Sequence, residues 1–280
     1  MTAKPSDPDT ASLAWTVRAR NTAVASSNKI HDDAVARDYG FAGGLVPGAE
    51  VYAYLSHVPA ARWGRAWLER GTMNARFLRP VYDGETVEVT AAKSGDVGSH
   101  GDAVSLRLTS AAGGQAEGGA AVPAAPLPCP GADTVPLALL PDERPPASEA
   151  SLAPGRVLGS LDFTFEAASA QRYLDDIGET LPLYRQELLA HPGWFLRAAN
   201  LVLTSNVVMG PWVHVASAVT HHAAVEAGTD LCARGVVRDR FERRGHKFVV
   251  LDILVLADGH RTVAHIEHTA IYELRRNAGA

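Results

Sequence analysis

The sequence predicts an α+β protein built as two similar halves, each a helix followed by an antiparallel meander. Three observations lead there. A proline-dense stretch from about Val122 to Pro154 divides the 280-residue chain near its middle. Such density defeats helix and ladder hydrogen bonding alike, so the stretch reads as an extended linker. Before it, an apolar helical run precedes four strand-like runs separated by turn residues; after it, the same order recurs. The expected division is residues 1–122, a linker at 123–154, and residues 155–280.

In the first half, Pro47–Tyr54 opens a helix of small and apolar residues without a breaker, and Arg62–Glu69 adds a short second one. Strand patterns follow at Met73–Leu78, Glu85–Ala92, Ala103–Thr109 and Ala116–Val122. Turn signals stand at Gly84-Glu85, Gly98–Asp102 and Gly113-Gly114. In the linker, Leu137–Leu140 is apolar enough to dock on a surface. In the second half, a strand at Val157–Phe165 leads to helices at Ala167–Asp176 and Trp194–Thr204. Strands at Trp212–Thr220, Asp230–Arg240, Lys247–Ala257 and Thr262–Glu273 complete it. The mixed-charge segment Glu242–Lys247 reads as a solvated hairpin turn.

Composition narrows the function. An apolar fraction of 46% and a charged fraction of 20% are those of a globular protein with ample material for a core. The net charge of −5 and scattered basic residues argue against a nucleic-acid groove. Cys129 and Cys232 are isolated, which fits a reducing compartment. No Cys or His pair has zinc spacing, and His221-His222 would face opposite sides of a strand, so no metal is expected. Met1–Asp9 lacks an apolar leader core and no run reaches membrane-spanning length. The expectation is a cytoplasmic protein that engages no membrane.

The most informative stretch is Asn28-Lys-Ile-His-Asp-Asp33, followed by Tyr39-Gly-Phe-Ala-Gly-Gly-Leu-Val-Pro-Gly48 and the apolar helix. It resembles the hydratase motif of MaoC-like dehydratases and (R)-specific enoyl-CoA hydratases, which runs Asp-x-Asn-Pro-Leu/Ile-His before a glycine-rich turn. Asn28, Ile30 and His31 match; Pro47 replaces the histidine of the turn. Arg76–Val81 and Gly84–Val89 are similar to the strand pair that follows the helix in that family. More weakly, Gly178-Glu-Thr-Leu-Pro-Leu-Tyr184 resembles the same motif in the second half, with Glu179 at its aspartate and Tyr184 at its histidine. The resemblance implies a double hot-dog: two antiparallel sheets, each wrapping a central helix, as a pseudo-dimer in one chain. Such a chain could stay monomeric or form a homodimer.

It also implies a hydro-lyase acting on an acyl thioester, with coenzyme A or an acyl carrier protein carrying the substrate and no resident cofactor. No dinucleotide or Walker loop is present. Adding water to a 2-enoyl thioester needs proton transfer and a stabilised enolate oxygen. A helix start offers the second through its unpaired N–H groups and macrodipole. His31 matches the motif histidine, the Gly48 amide its oxyanion donor, and Asn28 its loop-ordering asparagine. Ser26 stands where the motif has aspartate, and a hydroxyl cannot share protons as a carboxylate does. Glu50, on the exposed or cleft face of the helix, and Glu179 are the substitutes considered, beside Asp32 and Asp33, which read as caps of the next helical turn. Glu50 would also suit a hot-dog thioesterase, and a cleft that binds acyl ligands without turnover is a third reading. Tyr184, Asn206, Trp212 and His214 are candidate cleft residues. Ser205 and Ser217 lack a nucleophile-elbow context.

Overall fold

The computed structural model describes residues 14–93 and 102–275. Met1–Asp9 and the turn at residues 98–101 lie outside the described residues; Asp102 opens a strand. The first half runs β1 (Ala14–Arg18), α1 (Asp33–Asp38), α2 (Gly48–Trp63), α3 (Arg65–Arg70), β2 (Thr72–Arg79), β3 (Thr86–Lys93), β4 (Asp102–Ser110) and β5 (Gln115–Val122). The second runs β6 (Val157–Thr164), α4 (Ala167–Ile177), α5 (Pro182–Gln186), α6 (Pro192–Asn206), β7 (Val213–His221), β8 (Asp230–Arg243), β9 (His246–Ala257) and β10 (Arg261–Glu273).

The strands make one continuous antiparallel sheet in the order β1-β3-β4-β5-β2-β7-β10-β9-β8-β6. Read from its centre outward, each half repeats the other: β2, β5, β4, β3, β1 on one side and β7, β10, β9, β8, β6 on the other. The expected two sheets are thus fused through β2 and β7, which pair from Thr72↔Thr220 to Arg76↔Ala216. Strand β1 was not read from the sequence; it pairs with β3 from Ala14↔Thr90 to Arg18↔Thr86.

The sheet curls around α2 and α6, which pack against each other. Every residue of α2 from Ala49 to Ala60 is buried. A helix apolar or small on all sides is one that the fold encloses. By contrast, α4 buries Ala170, Tyr173, Leu174 and Ile177, the i, i+3, i+4, i+7 stripe of a helix lying on a surface. The β8–β9 hairpin turns at Arg244 and Gly245, both with positive φ (54° and 76°), as a two-residue primed turn requires.

The proline-rich segment does more than connect. The Ser160 amide donates to the Ala138 carbonyl at 2.8 Å, so the segment runs beside β6 and covers an edge of the sheet. Val135 is buried against Cys232, Leu254 and Leu256 on the outer face of β8 and β9. Further on, the Val208 amide donates to Pro145 and the Ala147 amide to Val208, each at 2.8 Å. Leu137–Leu140 does lie along this edge, although Leu139 itself points into solvent. Among the described residues no helix is long and apolar enough to cross a membrane.

A buried anchor in this strap has a measurable consequence. Val135→Asp places a carboxylate in an apolar contact and should lower stability by about 3 kcal/mol. Urea unfolding checks the loss, and limited proteolysis should show faster cleavage within residues 123–154. Unchanged cleavage would mean that the strap is not held there.

Candidate active site

The site is assembled where the loop before α2 meets the start of β7. Asn28 begins a 3₁₀ turn over Lys29–His31, and Asp32 then caps α1 by accepting from the Ala34 and Val35 amides. Asn28 also reaches into the other half. Its Nδ2 donates to the Trp212 carbonyl (2.9 Å) and its Oδ1 accepts from the Trp212 amide (3.1 Å). A side-chain amide here completes a backbone pair of the opposite half and fixes the loop against β7.

His31 is held at several points. Its Nδ1–H donates to the Leu45 carbonyl at 2.7 Å, which fixes the tautomer and leaves the Nε2 lone pair as the ring's basic site. The Asn28 Nδ2 stands 3.3 Å from that nitrogen, and Asn21 Nδ2 donates to the His31 carbonyl (2.9 Å). Burial pushes the imidazole pKa below its ordinary value, partly offset by the Leu45 bond and the charge of Glu50. Gly44 permits this packing, since a Cβ there would stand 2.2 Å from the His31 carbonyl oxygen. Ser26 accepts from the Asn28 amide at 3.1 Å, so its hydroxyl shapes the turn.

Helix α2 starts beside His31. Pro47 offers no capping side chain, and the Gly48 amide has no hydrogen-bond partner among the described residues. A cavity of about 660 Å³ lies over this helix start, lined by Ser26, Asn28, His31, Gly48, Glu50, Phe77, Arg197, Trp212 and His214 among others. Its walls are largely apolar, as ligand pockets usually are. Among the described residues no cluster of three or more His, Cys, Asp or Glu has the arrangement of a metal site.

Glu50 is neither solvated nor a free carboxylate. It is 1% exposed, and its Oε1 accepts from Arg197 Nε of α6 (2.8 Å) and from the Thr22 hydroxyl (2.9 Å). The desolvation of a charge on a buried helix demands such a counter-charge. Arg197 was missed in the sequence because nothing there links it to Glu50, 147 positions away.

Glu179 does not join His31. It pairs with His57, two turns along α2 from Glu50: Nδ1 donates at 2.9 Å to Oε1. The Thr180 and Leu181 amides also donate to Oε1 (2.7 Å each), and His191 Nε2 lies 3.6 Å from Oε2. Burial alone would raise this carboxyl, but the bonds from His191 and His57 outweigh it and hold the pKa well below the usual carboxylate range. Tyr184 packs against His191 here (4.7 Å between rings), away from the cavity. Asn206 is structural too. It accepts from the Gly159 amide (2.6 Å) and donates to the Gly159 and Val202 carbonyls, tying α6 to β6. Of the expected cleft residues, Trp212 and His214 line the cavity; Tyr184 and Asn206 do not.

The helix α6 begins His191-Pro192-Gly193 as α2 begins Val46-Pro47-Gly48, a repeat that could have located the second helix start. Around Gly193 the space is filled: a Cβ there would stand 2.2 Å from the Tyr173 hydroxyl. The Gly193 amide moreover donates to His191 Nδ1 at 3.2 Å, so of the two pseudo-equivalent helix starts one borders the cavity with its amide unpaired and the other is capped and packed.

Glu179→Gln should cost about 3 kcal/mol at neutral pH, because it leaves buried donors without their counter-charge. A depressed folded-state pKa stabilises above the unfolded value and loses that contribution as pH falls. The gap between wild type and variant should therefore be full above about pH 5 and shrink below about pH 4. Urea titrations at several pH values read this directly; a gap independent of pH would contradict the ionised assignment. Asn206→Ala should cost about 2 kcal/mol and leave ligand binding in the cavity unchanged.

No family model matches the sequence, and no curated protein is significantly similar to it. Solved structures do resemble the chain. A conserved hypothetical protein from Mycobacterium tuberculosis with a double hotdog fold superimposes with a TM-score of 0.61 at 17% identity, covering 94% of this chain and 96% of the other. A MaoC domain protein dehydratase from Chloroflexus aurantiacus gives 0.57 at 13% identity, covering 95% of each. An oleoyl thioesterase from Lactobacillus plantarum gives 0.50 at 11%, covering 96% and 99%. Identities this low speak for architecture alone. The ten-stranded sheet curled around two helices, superimposing on these proteins over nearly the whole chain, is a double hot-dog fold.

Proposed function

We propose that this chain is an acyl-thioester hydratase/dehydratase, adding or removing water at a 2-enoyl or 3-hydroxyacyl group carried on coenzyme A or an acyl carrier protein. The observation that carries the reading is the pairing of His31 with the uncapped start of α2 in one cavity. Nδ1 is committed to Leu45, so Nε2 is the basic nitrogen, and burial keeps the ring neutral at physiological pH.

A single neutral imidazole suffices for the chemistry. Nε2 takes a proton from water as the water oxygen bonds to C3 of the enoyl group. The C2=C3 electron pair moves onto the thioester oxygen, where the Gly48 N–H and the positive end of the helix dipole stabilise the charge. The pair then returns to C2, which takes the proton from Nε2, and the imidazole ends neutral as it began. Dehydration is the reverse. This route asks nothing of Ser26 and needs no aspartate.

Hydrolysis of the thioester by Glu50 is less favoured. Its Oε1 is engaged by Arg197 and the Thr22 hydroxyl, which holds the carboxylate in place instead of leaving it free to attack a thioester carbon or activate a water. A cleft that binds acyl ligands without turnover is the remaining alternative.

The test is a steady-state assay on 2-enoyl-CoA thioesters of several chain lengths, following both loss of conjugation and release of thiol. Hydration should fall by about 10³-fold or more in His31→Ala. Thiol release abolished by Glu50→Gln would favour the thioesterase instead. Because the working form of His31 is neutral and its pKa is lowered, kcat/KM should stay level through neutral pH. Its acid limb should lie below the ordinary histidine value of about 6.5. A limb above that value would argue against His31 as the base.

A further inference from the structure

His214 lies against the start of α2 from the opposite half and is not part of the reading above. Its imidazole is buried, and Nδ1 has no hydrogen-bond partner. An ideal Cβ on Gly48 would stand 2.8 Å from that nitrogen and 2.8 Å from Phe77 Cε2, so the ring rests directly on the glycine. The Phe77 ring meets it edge-on, with centroids 4.9 Å apart. On its other side, Nε2 lies 2.8 Å from the Ser217 hydroxyl, which lies 3.1 Å from Nδ1 of buried His268.

This arrangement exists because β7 is irregular. Residues three apart on a regular strand face opposite ways. In β7, Ala216 pairs with Thr269 and His214 with Ala270, which leaves Val215 as an extra residue. The bulge resets the alternation and turns His214 to the same face as Ser217. Ser217 in turn pairs with His268 across the ladder. The Asn28–Trp212 bonds, two residues upstream, fix where this part of β7 stands relative to the His31 loop.

We propose that His214 is a second oxyanion donor, its neutral Nδ1–H pointing with the Gly48 N–H at the thioester carbonyl oxygen, and that Ser217 and His268 are positioning residues that set its tautomer. The proposal rests on the hydratase reading and names a further catalytic residue within it. Where Ser217 donates to His214 Nε2 and accepts from His268 Nδ1–H, the proton of His214 sits on Nδ1, the nitrogen at Gly48; the opposite relay would place it on Nε2, and the two variants below distinguish them. Burial and the neighbouring His268 push the His214 pKa well below the ordinary value, only partly offset by a backbone bond at Ala216, and burial takes His268 to about 3. Both rings are therefore neutral. A neutral donor can stabilise the enolate oxygen without giving up its proton to it.

The test uses two variants of the same shape. His214→Asn puts an amide nitrogen where Nδ1 stands, and His214→Leu puts a methyl group there. With 2-enoyl-CoA as substrate, kcat should fall by about 100-fold or more in His214→Leu, with KM little changed, and recover at least tenfold of this in His214→Asn. A second readout does not depend on turnover. Bound trans-2,4-hexadienoyl-CoA should absorb at longer wavelength in a His31→Ala background, because hydrogen bonds to the carbonyl oxygen polarise the conjugated system. That shift should shrink when His214→Leu is added while binding persists. Equal shifts with and without His214, or equal kcat in the Asn and Leu variants, would overturn the proposal and leave hydration by His31 standing. If hexadienoyl-CoA does not bind and no enoyl thioester is hydrated, the hydratase reading falls, and the role of His214 falls with it.

Discussion

Helix α2 has no solvent face, and most of the molecule follows from that. A helix enclosed along twelve residues, Ala49 to Ala60, must satisfy every polar side chain it carries from inside the protein. Its polar residues Glu50, Ser56 and His57 draw partners from the other half: Arg197 for Glu50, His191 for Ser56, Glu179 for His57. The two halves are therefore joined by more than the β2–β7 ladder. Separating them would strand a carboxylate on each side of the interface, and an uncompensated buried charge costs several kcal/mol.

The same enclosure explains where chemistry can occur. The backbone of an α-helix is saturated except at its ends. With its flanks sealed, α2 offers unpaired donors only at its start, where Pro47 supplies no cap. Helix α6 presents the same Pro-Gly start, but there the Tyr173 hydroxyl and the ring of His191 occupy the ground over Gly193. Two positions related by the internal repeat have diverged into a cavity and a packed ionic core. Glu179 shows the divergence most plainly: its carboxylate faces two histidines and two backbone amides in the packed core, away from the cavity.

Much of this was legible in the sequence. The element order, the central helix and the His31–Gly48 pair follow from residue patterns spaced within a few positions of each other. What escaped was set by long-range geometry. Glu50 read as a solvated or cleft-facing helix residue because the partner that buries it, Arg197, lies in the other half. Asn206 and Tyr184 looked like cleft residues because a polar or aromatic side chain near a helix end has no address in sequence; the fold placed both in packed regions. Strand β1 was invisible for a similar reason, since five residues of alternating exposure carry little signal until β3 stands beside them.

The role of Val215 shows how far a single inserted residue can reach. Were β7 regular here, with Val215 in the ladder, its strict alternation would point Val215 rather than His214 toward the face that Ser217 shares. The start of α2 would then meet an aliphatic side chain in place of an imidazole. In a symmetric homodimer any such bulge would be imposed on both sites at once. A fused chain carries the two copies separately, so β7 can bend toward one helix start without β2 doing the same for the other. Fusion thus permits one cavity to be built from unlike parts: a buried histidine and a helix start from the first half, and an irregular strand from the second. The Asn28 amide, bonded to the Trp212 backbone, holds those parts in register.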